Sequence, residues 1–130
     1  MAFEPLSADD ERIATIVVHA AYLVHKTLGP GLLESVYEVC LAHEIRKQGL
    51  EVRRQEPVPI VYDNLRFDEG FRFDLLVADR VLCEVKAVQE VHPVCVAQIL
   101  THMKLMELRL GFLINFNVPV IKDGIQRIVR

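Results

Sequence analysis

The chain has 130 residues, of which 52% are hydrophobic, so it is long enough for one domain with a real core and too short for two independent domains. Its formal net charge is -3, so no global basic field draws it to nucleic acid, and any phosphate-binding surface must be local. The N-terminal stretch is acidic where a signal peptide would be basic, and no apolar run approaches the roughly 18 to 20 residues that a membrane span needs. Cys40, Cys83 and Cys95 are widely spaced within apolar runs, as is typical of reduced core thiols. We therefore expect a cytoplasmic protein that is not bound to a membrane.

The first third of the chain predicts two antiparallel helices. Ser7 and the acidic residue three places later resemble a capping box, and apolar residues at helical spacing then predict a helix over residues 8–27. Gly29-Pro30-Gly31 ends this helix, because proline disfavours helical geometry in the residue before it and glycine tolerates the turn. A second helix is predicted over residues 33–45, and Gly49 stands where a C-terminal glycine cap is expected.

The middle of the chain changes to the pattern of extended strands. Two prolines within residues 51–62 indicate a strand near a sheet edge, followed by a turn at Asp63-Asn64. Residues 71–77 and 81–88 are two strand-like runs separated by a short polar turn at Asp79-Arg80. Together these two runs predict a hairpin.

The last third predicts a helix between strands. Pro93 opens this third helix, which is expected to reach about Leu108 and to be closed by Gly111. A buried strand follows over residues 112–117, and a tight turn then leads to a last strand over residues 125–129.

The element order is therefore α-α-β-β-β-α-β-β. This order indicates an α/β fold in which helices pack on a mixed β-sheet, as one domain over residues 1–130.

Three charged residues on the predicted hairpin are the main candidates for chemistry. Glu84 and Lys86 share one face of their strand because side chains alternate, and Asp74 lies in the apolar run of the preceding strand. Two carboxylates and a backbone carbonyl, such as that of Val85, are the hard oxygen ligands that Mg²⁺ or Mn²⁺ prefers. A nearby lysine could orient and help to deprotonate an attacking water, an arrangement that suits phosphodiester hydrolysis. The alternative is an ordinary ion pair on a solvated face.

The length of the hairpin turn decides whether such a metal site can form. A two-residue turn would place Asp74 and Glu84 on opposite faces of the sheet, whereas a three-residue turn pairs Val77 with Val81 and places both carboxylates on one face. The site therefore requires an odd connection or a bulge. The dipeptide Asp79-Arg80 by itself suggests the shorter turn.

The helices add further polar candidates. Helical projection places Glu34 between Tyr37 and Ile45, within the apolar stripe, where its carboxylate would either do chemistry or be satisfied by a neighbouring polar group. Gln98 and His102, four residues apart, form a polar pair on the mostly apolar third helix.

Several segments, in the right order, resemble the GxxExxY protein family. The matching segments are Gly31-Leu32-Leu33-Glu34-Ser35-Val36-Tyr37 together with residues 71–77, 84–87, 97–101 and 111–117. That family looks like a compact branch of the PD-(D/E)XK nuclease superfamily, whose core is a helix, three strands, a helix and a strand. The chain has His102 where the superfamily branch with a Gln-x-x-x-Tyr helix motif has tyrosine.

The resemblance implies a role for each matched residue. Asp74 and Glu84 are expected to be ligands of Mg²⁺ or Mn²⁺, and Lys86 is expected to be the catalytic lysine. Glu34 corresponds to the helical acidic residue beside the metal, and Gln98 to the helical glutamine that supports the site. The implied activity is hydrolysis of DNA or RNA.

Four basic residues are candidate phosphate contacts, and two other functions stay open. The basic residues are Arg53, Arg54, Arg72 and Lys104. One alternative is a non-catalytic nuclease-fold module that binds a nucleotide or a protein partner. The other is a structural homo-oligomer, motivated by the high apolar content of so small a domain.

Overall fold

A computed structural model describes residues 4–130, so residues 1–3 of the acidic N-terminal stretch lie outside the described residues. The elements are α1 (Ala8–Leu28), α2 (Glu34–Lys47), β1 (Val52–Tyr62), β2 (Leu65–Val77), β3 (Val81–Lys86), α3 (Val94–Leu105), β4 (Leu110–Asn115), a 3-10 turn (Ile121–Gly124) and β5 (Ile125–Val129). This order confirms the predicted succession of helices and strands. Within the described part of the chain, no helix combines the length and the apolar character that crossing a membrane requires.

The five strands form one mixed sheet in the order β1-β2-β3-β4-β5. β3 and β4 are parallel, and the other neighbouring pairs are antiparallel. Alternate residues of β3 face the two sides of the sheet: Cys83 and Val85 join the core under α1 and α2, whereas Leu82 joins the core under α3. β1 is an edge strand, as its prolines predicted.

Local signals set the ends of the first two helices. Ser7 Oγ accepts a hydrogen bond from the Asp10 amide at 3.0 Å, which caps the start of α1. The Asp10 carboxylate accepts a hydrogen bond from Arg80 Nε at 2.8 Å, and Arg80 Nη2 also donates to Ser7 Oγ at 3.0 Å. After α2, Gly49 adopts a left-handed backbone with φ 84°, as expected for a glycine that follows a helix.

The prediction for the end of α3 was wrong. The helix ends at Leu105, and Glu107 takes the left-handed position, with φ 57°, that glycine usually fills. The Leu108 amide donates to the Met103 carbonyl at 2.8 Å, which closes the helix end. Gly111 lies inside β4, where a Cβ would stand 2.8 Å from Met103 Sδ. This glycine therefore permits close packing of α3 on the sheet and does not cap the helix.

β2 begins six residues before the predicted Phe71, because it pairs with β1 along almost its whole length. Only the last three residues of β2 pair with β3. Among residues 4–130, no third strand pairs with the rest of the hairpin that β1 and β2 form. Residues 59–70 therefore form a two-stranded projection, the hairpin arm, whereas Phe71 and Phe73 at its base still pack against α3.

Candidate active site

The connection between β2 and β3 has the odd length that the candidate site requires. Val77 pairs with Val81, so the turn contains the three residues 78–80. Ala78 and Asp79 both adopt left-handed backbone, with φ 52° and 56°. The register of β2 and β3 therefore places Asp74 opposite Glu84, in positions that share one face of the hairpin.

β2 and β3 separate just where these carboxylates begin. Their last pair is Leu75 with Cys83, and one step further Asp74 Oδ2 accepts the Val85 amide hydrogen bond at 2.9 Å. A carboxylate thus replaces the backbone partner that a continuing β2 would supply. The amide and carbonyl of one strand residue point to the same neighbour, so the Val85 carbonyl projects into the same gap. Phe73 packs under α3 while Leu75 packs under α1 and α2, which marks a bend of β2 at Asp74.

Glu84 and Lys86 lie on β3 beside this gap. Lys86 Nζ is 3.6 Å from Glu84 Oε1, and their side chains are 26% and 20% exposed. Burial, followed by the negative charge of Asp74, raises the pKa of Glu84 to about 7, against the opposing effect of Lys86. Burial also raises the pKa of Asp74, which the hydrogen bond from Val85 partly offsets. Two half-buried carboxylates therefore lie within electrostatic range of each other and of one ammonium group.

Glu34 is the first residue of α2 and is exposed, so the prediction of a carboxylate inside the apolar stripe was wrong. The helix begins at this residue, and its first turn lies at the margin of the core. Partial burial and then the charge of Asp74 raise the pKa of Glu34, while Lys86 lowers it. Glu34 therefore shares the electrostatic environment of the hairpin carboxylates although it is open to solvent.

Glu38 and Gln55 are site residues that the sequence did not single out. Glu38 is only 5% exposed, and its carboxylate accepts hydrogen bonds from Arg54 Nη2 at 2.7 Å and Gln55 Nε2 at 2.6 Å. The same Gln55 nitrogen donates to Asp74 Oδ1 at 3.1 Å. Gln55 has a left-handed backbone, with φ 50°, and stands opposite Asp74. The four-residue spacing from Glu34 to Glu38 is the signal that would have found Glu38, because such residues share a helix face.

Gly31 and Tyr37 build the loop that leads to Glu34. Gly31 has φ 101°, a conformation that suits glycine, and a Cβ there would meet no atom within 4 Å. The buried Tyr37 hydroxyl donates to the Gly29 carbonyl at 2.6 Å and accepts the Leu32 amide at 3.0 Å. Gly31 is thus required for backbone geometry, and Tyr37 holds the loop closed.

Gln98 and His102 occupy different surroundings on α3. Gln98 is exposed, and within residues 4–130 no hydrogen bond joins it to Asp74, Glu84 or Lys86. The His102 ring stacks on Phe71 with centroids 4.0 Å apart, and burial lowers its pKa. His102 Nδ1 is buried without a partner in the described residues. His102 is therefore part of the packing between α3 and β2.

The candidate phosphate contacts are mostly engaged by carboxylates. Lys104 is exposed and forms no ion pair within the described residues. The other three candidates are paired: Arg53 with Glu56 and Asp79, Arg54 with Glu38, and Arg72 with Glu69. A phosphate would therefore compete with these pairs for Arg53, Arg54 and Arg72.

The oxygen atoms available for a divalent cation such as Mg²⁺ come from two side chains and one backbone carbonyl. Across residues 4–130, no three His, Cys, Asp or Glu side chains converge closely enough to hold a metal ion. Two carboxylates and one backbone carbonyl, those of Asp74, Glu84 and Val85, border the gap between β2 and β3. Mg²⁺ is commonly bound by one or two carboxylates with water and substrate oxygens in its remaining positions, so this set is chemically suitable.

Comparison with known proteins gives one result. A sequence model of the PD-(D/E)XK nuclease superfamily matches residues 11–128, which is nearly the whole chain. The five-stranded mixed sheet with its packed helices is consistent with the fold of that superfamily. No curated protein and no solved structure matches the chain significantly.

Proposed function

The chain belongs to the PD-(D/E)XK nuclease superfamily, and from this premise we propose that it is a metal-dependent phosphodiesterase that cleaves DNA or RNA. We place it in the GxxExxY branch, because Gly31, Glu34 and Tyr37 stand at that spacing and form the loop and helix start beside the hairpin carboxylates. The observation that carries the proposal is the gap between β2 and β3, where Asp74 reaches across to the Val85 amide at 2.9 Å beside Glu84.

Asp74, Glu84 and the Val85 carbonyl are the proposed ligands of Mg²⁺ or Mn²⁺. The negative charge of Asp74 raises the pKa of Glu84 although Lys86 opposes this effect, and the remaining repulsion supports a role of both carboxylates as cation ligands. When bound, the cation would supply positive charge beside the scissile phosphate. The protein fixes the position of the Asp74 carboxylate, because Val85 and Gln55 each donate a hydrogen bond to one of its two oxygens.

Lys86, Glu34 and Gln98 have supporting roles in this proposal. Lys86 Nζ lies 3.6 Å from the Glu84 carboxylate, so its ammonium group can hold the attacking water next to the phosphate. Glu34 is open to solvent and shares the electrostatic environment of Asp74, which suits a residue that orients water. Gln98 is exposed on α3 and is proposed to meet the substrate when it binds.

Cleavage of mixed DNA and RNA substrates tests this function. The wild type is expected to cleave at least one of them in Mg²⁺ or Mn²⁺ and to lose activity in excess EDTA. Lys86→Ala should reduce the rate by about 100-fold or more, the order expected for loss of a group acting on the reacting atoms. Lys122→Ala removes an exposed lysine from the 3-10 turn and should leave the rate unchanged. Equal rates for Lys86→Ala and the wild type would contradict the assignment.

A non-catalytic module that binds a nucleotide or a protein partner is the alternative. The observation that favours it is the pairing of Arg53, Arg54 and Arg72 with carboxylates, which weakens the local field for a nucleic-acid backbone. In that case the folded wild type would bind a nucleotide or protein and cleave neither nucleic acid under any metal condition.

A further inference from the structure

The hairpin arm ends in an apolar tip. Val61, Tyr62, Leu65 and Phe67 are 63%, 69%, 59% and 50% exposed, and they lie on both sides of the Asp63-Asn64 turn. We call these four residues the arm tip. A two-stranded hairpin is marginally stable alone in water, so a projection with large apolar side chains at its end is typical of a surface that binds a partner.

The charges around the arm tip disfavour nucleic acid as that partner. Asp63, Asp68 and Glu69 stand beside the tip; Arg66 pairs with Asp68 at 3.3 Å and Arg72 with Glu69 at 2.9 Å, whereas Asp63 forms no ion pair in the described part of the chain. A phosphate backbone binds through lysine and arginine, and an acidic tip would repel it. The tip therefore suits an apolar protein surface with a basic margin.

The protein itself carries a surface of that kind. A groove of about 990 Å³ runs along α1 beside β4, the 3-10 turn and β5, with an apolar lining that includes Val18, Tyr22, Leu23 and Val120. We call it the α1 groove. Its basic lining residues are His19, His25, Lys26 and Arg127, and within the described residues no carboxylate lines it.

Two of these basic residues, Lys26 and His19, are available to a partner. The other two are engaged within the protein: His25 Nε2 is bonded to the Val118 carbonyl at 2.8 Å, and Arg127 pairs with Glu11. Lys26 is exposed and forms no ion pair among residues 4–130, and His19 borders the same groove. The α1 groove thus matches the arm tip in both respects: an apolar floor and the opposite sign of charge.

We propose that the arm tip of one copy docks into the α1 groove of a second copy, and that the reciprocal contact closes a symmetric dimer. The arm belongs to the β1–β2 edge of the sheet and the groove to the side with β4 and β5. In a symmetric dimer the arm of each copy would meet the groove of the other, and one two-fold axis would relate the two contacts. Tyr62 and Phe67 would bury at most roughly 150 to 250 Å² each. One contact therefore falls short of the roughly 800 Å² per partner of a stable interface, and two contacts approach it.

Sedimentation analysis of the full chain without metal, at about 1 to 100 μM, tests the proposal in the affinity range of modest interfaces. The wild type is expected to reach a dimer mass. Tyr62→Ser with Phe67→Ser in the tip, and Val120→Glu in the groove, should each weaken dimerisation about tenfold or more. Leu33→Ser changes an apolar side chain that is 74% exposed but lies outside both surfaces, and it should have no effect. Circular dichroism and thermal melting establish that each variant is folded.

Exchanging the charges of the arm and the groove gives a second test, which does not depend on removing apolar side chains. Asp68→Lys on the arm and Lys26→Glu in the groove should each weaken the dimer a few-fold, the scale of exposed ion pairs. The chain that carries both changes should recover wild-type dimerisation, because each contact regains opposite charges. A wild type that stays monomeric at about 100 μM, or a dimer that tolerates both the tip and the groove variants, would overturn the proposal. A tip variant that alters only nucleic-acid binding would also overturn it, in favour of the arm as a substrate contact.

Discussion

Asp74 serves both the fold and the proposed chemistry. Its carboxylate accepts the Val85 amide at 2.9 Å and the Gln55 amide nitrogen at 3.1 Å, so it satisfies a strand end while it stands beside Glu84. Burial raises the pKa of Asp74 and of Glu84, so keeping both charged without a cation destabilises the folded state. These two carboxylates should therefore make the metal-free protein less stable as the pH rises and they ionise.

Glu84→Gln should stabilise the metal-free protein at pH 8 and have little effect near pH 4.5. The folded-state pKa of Glu84, about 7, lies above its ordinary value of 4.5, so the folded state holds the proton more tightly than the unfolded state. The penalty for ionisation is absent below the lower value, grows as the pH rises between the two, and is complete above about 7. At pH 8 it is about 3 kcal/mol at most. Chemical unfolding in EDTA at both pH values measures it, and a variant less stable than the wild type at pH 8 would contradict the argument.

Glu38→Ala should destabilise the fold more than a surface carboxylate change on the same helix. Glu38 is 5% exposed and pairs with Arg54, whose Nε is itself buried without a partner in the described residues. Removing it leaves the guanidinium group unpaired, a loss of about 2 kcal/mol or more. Glu44→Ala is the matched control, because Glu44 pairs with the exposed Lys47 at 3.3 Å and should contribute less than about 1 kcal/mol. Equal losses in denaturant unfolding would show that the Glu38 pair has no special role.

The candidate residues were partly readable from the sequence. Asp74, Glu84 and Lys86 stood out because charged residues interrupt apolar strand runs, and the register places the two carboxylates at one level. Glu34 stood out by its motif, but its exposure was not predicted because helical projection does not say where a helix begins. Gln55 gave no signal, since its left-handed backbone arises only where β1 meets β2 opposite Asp74.

At the scale of elements, the turn between β2 and β3 controls which side chains meet. The pair Val77 and Val81 leaves three residues in the turn, and Asp79 within it has φ 56°. Because side chains alternate along a strand, loss of one turn residue would move Asp74 and Glu84 to opposite faces or force the sheet to adopt a new bulge.

Deletion of Asp79 should therefore abolish cleavage while Asp79→Asn preserves it. The substitution keeps the turn length and a residue type that tolerates left-handed backbone, although it loses the charge that pairs with Arg53. The deletion keeps the composition of β2 and β3 but changes their register. Nuclease assays together with far-ultraviolet circular dichroism make the comparison. A folded deletion variant with wild-type activity would refute the dependence of the site on turn parity.

Element ends were less predictable than element order. α3 was expected to continue to about Leu108 because apolar residues continue that far, and Gly111 was expected to close it. Instead, Glu107 supplies the left-handed residue and Gly111 is needed for packing against Met103. β2 was expected to start at Phe71, where the strand-like run in the sequence begins. Residues 66–70 were not included in it. The pairing of those residues with β1 extends the strand, and such pairing is a tertiary contact that local propensity does not contain.

At the scale of the whole molecule, the alternating patterns were sufficient to predict the order of helices and strands. The helical periods of α1 and α2 correspond to the core on one face of the sheet, and β3 and β4 contribute to this core and to the second core under α3. The pattern did not predict the hairpin arm or the α1 groove, because each depends on which strands pair and where the 3-10 turn packs. The proposed metal site and the proposed dimer contact use different surfaces, so each can fail without the other.

Titration calorimetry with Mn²⁺ tests the central claim most directly. The wild type is expected to bind Mn²⁺ weakly without substrate, because two carboxylates and one carbonyl leave most of the coordination shell to water. The double variant Asp74→Asn, Glu84→Gln should remain folded and lose this binding. The double variant Asp68→Asn, Glu69→Gln on the hairpin arm removes the same two kinds of charge and should bind as the wild type does. Unchanged Mn²⁺ binding by a folded Asp74→Asn, Glu84→Gln variant would contradict the assignment of the metal site.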